Sequence, residues 1–233
     1  MTSVDVRCEW GLEGIYALRE TSEVIIIVDV LSFSTCVDIA AVRGALIYPC
    51  QWKDKRAMDL ASSLQAELAM WGDENIHGYA LSPSTLLSVP SGTRLVLPSP
   101  NGSALSLEAG NVPALTGCLR NAACVASQAQ SLGRRISVIP AGERCSSGGL
   151  RLALEDLIGA GAIIAHIAGS RSPEAELAVV AFRRFQDFLL ETLRSCNSGL
   201  ELIERGRSAD LELAAALNVS QCAPCLREGS YSC

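Results

Sequence analysis

One stretch of the chain, from Val138 to Gly161, brings charged side chains to the point where a strand gives way to a helix. An apolar run ends just before Glu143 and Arg144, a loop rich in glycine and serine follows, and the next helix carries Glu155 and Asp156. Open α/β sheets bind their ligands beyond the carboxyl ends of their strands. Charges of both signs at such a position predict a site for a small charged ligand. We expect Asp156, which shares a stripe with small residues, to reach that site rather than Glu155.

A second candidate lies near the end of the apolar strand predicted at Val24 to Val30, in which Asp29 is the only charged side chain. A carboxylate in so apolar a strand requires a partner. Ser34 and Thr35 follow at the first turn of a predicted helix, where backbone N–H groups point outward. The sequence thus predicts a carboxylate beside an anion pocket.

A third candidate is the tripeptide Asn101, Gly102, Ser103, between a predicted strand and a predicted helix. The glycine would let the backbone approach a ligand closely. Asn-Gly is also a common turn dipeptide, so an ordinary turn is the alternative.

The segment from Cys145 to Arg151 matches the spacing C-x-x-x-x-x-R, with which cysteine phosphatases wrap backbone amides around a phosphate. The residue before the cysteine is Arg144 where histidine is usual, and Leu152 follows the arginine where serine or threonine is usual. A cysteine-dependent phosphatase using Cys145 and Arg151 is kept as an alternative, and Arg151 as a candidate phosphate ligand.

Composition excludes several classes of partner. The net charge is −6 and the charges are interspersed, so nucleic acid and anionic lipid are not expected partners. The apolar runs are far shorter than the roughly 20 residues that span a bilayer. No secretory leader is recognised, and the protein is expected to be cytoplasmic. The glycine fingerprints of dinucleotide-binding and P-loop proteins are missing from the sequence.

The ten cysteines are irregularly spaced, as reduced thiols are, so a disulfide scaffold is not expected. Cys222 and Cys225 form a lone C-x-x-C motif. With His77 and His166 as the only histidines, the sequence lacks the ligands to complete a zinc site there.

The alternation of elements predicts one domain, residues 1–233, with a three-layer α/β/α fold and a predominantly parallel or mixed sheet. Helices on both faces and a helical region after Pro173 complete the expected architecture. Strands are predicted at 4–6, 24–30, 45–48, 94–97, 114–117 and 136–141. Helices are predicted at 12–18, 35–43, 54–70, 103–108, 121–132, 150–161, 174–195, 200–205 and 211–217.

Four motifs in this order make the chain resemble the 2-phosphosulfolactate phosphatase (ComB) family. They are Asp29-Val30-Leu31, Asn101-Gly102-Ser103, Ala141-Gly142-Glu143-Arg144 and Leu154-Glu155-Asp156. The similarity extends over nearly the whole chain, and residues 141–161 are its most specific part. The resemblance implies an α/β enzyme that uses Mg²⁺ to remove phosphate from 2-phospho-3-sulfolactate, a step toward coenzyme M.

Mg²⁺ prefers hard oxygen ligands and usually takes one or two carboxylates. The candidate ligands are Asp29, Asp73, Glu143 and Asp156, and the sequence leaves open which of them bind.

In the expected mechanism the metal polarises the phosphoryl group and Arg144 offsets developing charge. A carboxylate, for which Glu143 is the candidate, acts as the base. The catalytic candidates are Asp29, Glu143, Arg144 and Asp156. The candidate phosphate ligands are Ser34, Thr35, Asn101, Gly102, Ser103 and Arg151.

The chain departs from the family pattern at two positions, because Ser32 and Leu200 stand where many members carry arginine. Two cations are therefore missing, and we expect a small anionic 2-phospho acid that can lack the sulfonate. A non-catalytic anion-binding module on the same fold is the alternative of a different class. The apolar helix at 174–193 suggests a homodimer.

Overall fold

The computed structural model describes residues 3–70, 78–145 and 148–233, and all structural statements refer to these ranges. The strands are β1 (Asp5–Cys8), β2 (Val24–Val28), β3 (Leu46–Cys50), β4 (Glu67–Leu68), β5 (Arg94–Pro98), β6 (Ala114–Gly117), β7 (Arg135–Pro140), β8 (Glu143–Arg144), β9 (Leu150–Arg151), β10 (Ser170–Arg171), β11 (Cys225–Arg227) and β12 (Ser230–Ser232). The helices are α1 (Gly11–Leu18), α2 (Phe33–Val42), α3 (Lys55–Leu64), α4 (Gly102–Glu108), α5 (Ala122–Leu132), α6 (Leu154–Ala165), α7 (Pro173–Phe185), α8 (Leu189–Ser195), α9 (Asn197–Glu204) and α10 (Ser208–Ala215).

The main sheet has ten strands in the order β10-β1-β7-β2-β6-β11-β12-β3-β5-β4. Strands β10, β1, β7, β2 and β6 form one parallel group, and β3, β5 and β4 form a second. The β11–β12 hairpin joins the two groups through antiparallel ladders. The sheet is therefore mixed, within the predicted class.

Strand β2 shows why both faces of the sheet are covered. All five of its residues are fully buried. Val24, Ile26 and Val28 pack into the cluster that includes α5, α6 and α7, whereas Ile25 and Ile27 pack with residues of α1 and α4. A continuous β-branched run is what two-sided burial requires. The predicted α/β class, with helices on both faces of the sheet, is confirmed.

Two predicted helices are too long. The helix expected at 54–70 ends at Leu64, because Gln65 turns left-handed at φ 50° and β4 then pairs with β5. The helix expected at 174–195 is interrupted by a 3-10 turn at Gln186–Phe188. Its buried positions, such as Phe182 and Leu189, keep helical spacing across the break, so the sequence pattern does not reveal it.

The β11–β12 hairpin is not among the predicted elements. Its strands have three residues each, too few for a visible alternation. The connection is the two-residue turn Glu228-Gly229, in which both φ angles are positive, at 49° and 81°. Such a turn matches the twist of a tight hairpin.

The cysteine prediction needs one correction. Cys222 is bonded to Cys233, whereas Cys225 is a buried free thiol, so the C-x-x-C motif is not a pair. Antiparallel pairing sets Cys225 opposite Ser232, and this register carries Cys233 back toward Cys222. The spacing of the cysteines along the chain does not show that register.

In the described ranges no helix is long and apolar enough to cross a membrane.

The homodimer stays a prediction. Leu177 and Val180 on α7 are exposed, as is Phe188 just after it.

Candidate active site

Asp29 directly follows β2 and connects the starts of two helices. Its side chain is buried, with Oδ1 accepting from the Phe33 amide at 3.3 Å and Oδ2 accepting from the Gly102 amide at 2.8 Å. Burial raises the pKa of Asp29, the nearby Glu143 carboxylate raises it further, and the two amides oppose that rise. The expected partners of this isolated carboxylate are thus backbone amides in the first turns of α2 and α4.

Only glycine fits at position 102. A Cβ added there would lie 2.8 Å from Asp29 Oδ2 and would overlap the ring of Phe33. The Asn-Gly-Ser turn is therefore part of the packing around Asp29, and the ordinary-turn alternative does not describe it.

Asn101 connects the Asp29 side of the site to Glu143. Its Nδ2 donates to Glu143 Oε2 at 2.9 Å, and its Oδ1 is buried without a hydrogen-bond partner among the described residues. Burial raises the pKa of Glu143, while the bond from Asn101 and the charge of Arg151 lower it. A buried carbonyl oxygen without a donor, next to a carboxylate, is suited to a cation.

Glu143 lies on a small hairpin rather than on the predicted irregular loop. In β8 and β9, Glu143 pairs with Arg151 and Arg144 pairs with Leu150. Gly142 permits this turn with φ 65°, where a Cβ would lie 2.8 Å from the carbonyl of Arg151. The predicted helix at 150–161 is therefore wrong at its start, because Leu150 and Arg151 form β9.

The helix α6 starts at Leu154, and Leu150 is 42% exposed instead of buried.

Asp156 holds two loops of the site together from behind. Its carboxylate is buried in the first turn of α6 and accepts from the Val30 amide at 2.8 Å and the Gly142 amide at 2.9 Å. Burial raises its pKa, with Asp29 and Glu155 adding to the effect. Glu155 is equally buried, so burial alone does not distinguish the two carboxylates. Each oxygen of Asp156 accepts from one backbone amide, as those of Asp29 do, but Asp156 does not line the cleft that Asp29 lines.

Replacing Asp156 with Ala should therefore act first on stability. Two buried amides would lose their acceptor, which should lower the free energy of unfolding by about 2–4 kcal/mol. Urea denaturation followed by circular dichroism measures the change. Asp59→Ala, at an exposed carboxylate, is the control and should change it by less than about 0.5 kcal/mol. Equal stability of the two variants would contradict the role of Asp156 as a clamp.

The predicted phosphate ligands on α2 and α4 support the loops. The Ser34 amide donates to the Asp29 carbonyl, and the Ser34 hydroxyl accepts from Thr116. Thr35 donates to the Val30 carbonyl and Ser103 to the Leu97 carbonyl. These hydroxyls position the strand ends. The predicted contact of the backbone amides with phosphate stays a prediction, and the amides of Ser34 and Gly102 donate to Asp29 in this structure.

A cleft of about 390 Å³ opens in front of Asp29, Asn101 and Glu143. Sequence reasoning missed its cations, which come from the segment after β3 and from the α9–α10 turn. Desolvation lowers the pKa of Lys53, and Glu143 raises it, which places both groups within electrostatic reach. The charged residues of its lining are Asp29, Glu143, Glu201, Lys53, Arg205 and Arg207.

Arg144 and Cys145 lie elsewhere. Both are exposed and line a separate pocket of about 330 Å³, which meets the cleft at Asn101. Arg151 lies near Glu201, with Nη2 at 3.5 Å from Oε1, and near the Ser198 hydroxyl. Asp73 falls outside the described residues.

The described residues contain no cluster of three histidine, cysteine or acidic side chains placed for a metal ion. The donor set at the cleft is smaller and suits Mg²⁺, which needs few protein ligands and keeps waters. It consists of the Asp29 and Glu143 carboxylates and the free Oδ1 of Asn101. All three are hard oxygen donors.

The fold and the cleft together describe an α/β protein with a charged, solvent-accessible site at the carboxyl ends of its strands. The chain belongs to the 2-phosphosulpholactate phosphatase family, whose model matches residues 14–229. It is therefore a hydrolase of phosphate monoesters, and the resemblance drawn from its motifs is confirmed. It is similar to the 2-phosphosulfolactate phosphatase of Methanothermobacter thermautotrophicus, with 29% identity over 210 residues, 90% of this chain and 89% of the relative.

Proposed function

We propose that this chain uses Mg²⁺ to hydrolyse the phosphate monoester of 2-phospho-3-sulfolactate, releasing 3-sulfolactate and phosphate. The observation that carries the proposal is the cleft in which Lys53, Arg205 and Arg207 face the carboxylates Asp29 and Glu143. The substrate bears a phosphate, a carboxylate and a sulfonate. Cationic side chains in the cleft suit a substrate with several anionic groups.

This cation set changes the expectation about the sulfonate. Arginine is missing at Ser32 and Leu200, but positive charge reaches the cleft from Lys53 and from the α9–α10 turn instead. The loss of two family arginines therefore does not argue for a substrate without the sulfonate. We infer that the sulfonate is part of the natural substrate.

Charge balance in the cleft supports a divalent cation. Among the described lining residues, the three acidic and three basic side chains cancel. A neutral cleft attracts a polyanion weakly, whereas one holding Mg²⁺ carries net positive charge. The Asp29 carboxylate and Asn101 Oδ1 would hold the ion, which supplies Lewis-acid polarisation of the phosphoryl oxygens.

The protein groups then divide the work of hydrolysis. Glu143 keeps Oε2 on Asn101, which leaves Oε1 to accept the proton of the attacking water. The water oxygen bonds to phosphorus as the bond from phosphorus to the C2 oxygen breaks. The departing oxygen takes up a proton from solvent, to which Glu143 then releases the proton that it accepted. Arg205 and Arg207 neutralise the phosphoryl oxygens in the transition state. Lys53 is placed to bind an acid group of the substrate.

A substrate series tests the assignment. We expect kcat/KM for phosphosulfolactate to exceed that for phospholactate and phosphoglycerate by about 10- to 100-fold, the value of one charged contact. Phosphate release with each compound in Mg²⁺ measures it. Equal rates on all three would remove the sulfonate from the proposal, and no release from any of them would overturn the function.

Metal removal separates the proposed mechanism from the cysteine-dependent alternative. EDTA should abolish phosphate release and added Mg²⁺ should restore it, while Cys145→Ser should keep the wild-type rate. The physical reason is that Cys145 lines a different pocket from Asp29. A cysteine nucleophile requires the opposite result on both counts.

A further inference from the structure

A line of hydrogen bonds runs from the β11–β12 hairpin to Asp29. Tyr231 is fully buried, and its hydroxyl donates to Ser106 Oγ at 2.8 Å. Ser106 donates to the Gly102 carbonyl at 2.7 Å, and the Gly102 amide donates to Asp29 Oδ2 at 2.8 Å. Every member of the series is buried. Two residues, Ser106 and Gly102, thus connect the Tyr231 hydroxyl to the Asp29 carboxylate.

The aromatic ring of Tyr231 supports the other side of the same carboxylate. It meets the Phe33 ring edge-on, with centroids 6.1 Å apart and planes at 68°. The Phe33 amide donates to Asp29 Oδ1, and its ring fills the space beside Gly102. Tyr231 thus contacts Phe33, which is one amide donor of Asp29, and Ser106, which is bonded to the other donor, Gly102.

The ladder holds the hairpin in the sheet at few points. In the part of the chain that the structure describes, β11 meets β6 in the single pair Cys225–Leu115, and β12 meets β3 in the pair Tyr231–Ile47. The disulfide between Cys222 and Cys233 closes this segment over a separation of 11 residues. A covalent closure of that length restricts the segment where the ladder does so weakly.

We propose that Tyr231 is a positioning residue for Asp29 and that the Cys222–Cys233 disulfide is a redox latch that holds it in place. The proposal rests on the proposed function in one respect, since it treats Asp29 as part of the active site. Its structural half, the link from the disulfide to the loops around Asp29, stands apart from any activity.

The latch opens by thiol–disulfide exchange. Cys233 is exposed while Cys222 is buried, so a thiolate of a dithiol reductant attacks Cys233 Sγ. The disulfide bond breaks, the Cys222 thiolate leaves and takes a proton, and a mixed disulfide remains on Cys233. The second thiol of the reductant then displaces Cys233 as a thiol and becomes oxidised to a cyclic disulfide.

The Tyr231→Phe variant tests the positioning role. It keeps the ring against Phe33 and removes the hydroxyl, so kcat should fall about five- to tenfold, the value of one hydrogen bond. KM should stay within about twofold because the cations of the cleft are untouched. An unchanged kcat, or a rise in KM alone, would overturn the role of the hydroxyl.

Reduction of the wild-type protein tests the latch. Intact mass under non-reducing conditions should show one disulfide, and a dithiol should lower Tm by about 5–10 °C. Hydrogen exchange should speed up in peptides covering 29–35 and 101–108. Cys233→Ser should match the reduced protein and no longer respond to the dithiol. Cys124→Ser, which keeps a donor for the Gln221 carbonyl, should respond as the wild type does.

Two outcomes would overturn the latch. One is a reductant-induced fall in Tm without faster exchange in these peptides, which would make the disulfide a local clamp. The other is an intact mass without a disulfide under non-reducing conditions, which would leave no bond for the dithiol to open. If the protein hydrolyses its substrate but reduction leaves hydrogen exchange at 29–35 and 101–108 unchanged, the latch is refuted. If reduction speeds up that exchange but the protein releases no phosphate, the proposed function is refuted.

Discussion

Asp29→Asn is expected to lower kcat by about 1000-fold or more, because a site that orders a cation and a phosphoryl group loses the charge at its centre. The amide has nearly the same shape as the carboxylate. Its oxygen can still accept from one of the two amides that Asp29 contacts, Phe33 and Gly102. Steady-state phosphate release at saturating Mg²⁺ measures the loss.

Asp29→Asn should lose activity without a comparable loss of thermal stability. The pKa of Asp29 is raised in the fold, so the folded state disfavours its ionised form relative to the unfolded chain. Removing that charge offsets the hydrogen bond lost, and Tm should change by no more than about 5 °C. Asp59→Asn makes the same chemical change at an exposed position and should leave kcat unaltered. Activity of Asp29→Asn within tenfold of wild type would refute the assignment.

Glu143→Gln should reduce kcat by about 100- to 1000-fold while KM changes little, the pattern of a lost general base. The glutamine oxygen can still accept from Asn101 Nδ2, so the β8–β9 hairpin keeps its anchor. What disappears is the ability to take the proton of the attacking water. Comparison of kcat and KM for the two proteins tests the effect.

A matched substitution on a neighbouring element controls for charge. Glu204→Gln removes an exposed carboxylate from α9, near the turn that carries Arg205. It should retain the wild-type kcat. If Glu143→Gln and Glu204→Gln behave alike, Glu143 is not the base.

The parts of the site that follow apolar strands were predictable from the sequence. Asp29 stands out because a charge in an apolar strand needs a partner, and the Asn101-Gly102 turn follows a clear strand. Glu143 was located by the same logic. The elements behind these residues have strong local signals, which is why the α/β class could be predicted.

The cations of the cleft could not be predicted in the same way. Lys53 precedes an exposed helix, and Arg205 and Arg207 flank a glycine between two short helices. Nothing local distinguishes them from solvated surface charges. They line the same cleft as Asp29 only because the chain brings distant segments together, which is a tertiary effect.

The roles of the buried polar side chains were also beyond sequence reasoning. Asp156 was expected at the reacting groups, but its carboxylate joins Val30 to Gly142 from behind. Whether a buried carboxylate that accepts from backbone amides also lines a cleft, as Asp29 does and Asp156 does not, depends on loop conformation. That conformation here includes the β8–β9 hairpin, whose two-residue strands leave no periodic signal.

The position of the β11–β12 hairpin has a consequence for how the protein is made. The two parallel groups of strands touch in the sheet only through this hairpin, as far as the described ranges go. One group carries Asp29 and Glu143, and the loop after the other carries Asn101. During synthesis the sheet cannot become continuous until residues 225–232 have emerged from the ribosome. Such long-range closure is slow, so the two groups of strands that carry the site residues join into one sheet only after the hairpin has docked between them.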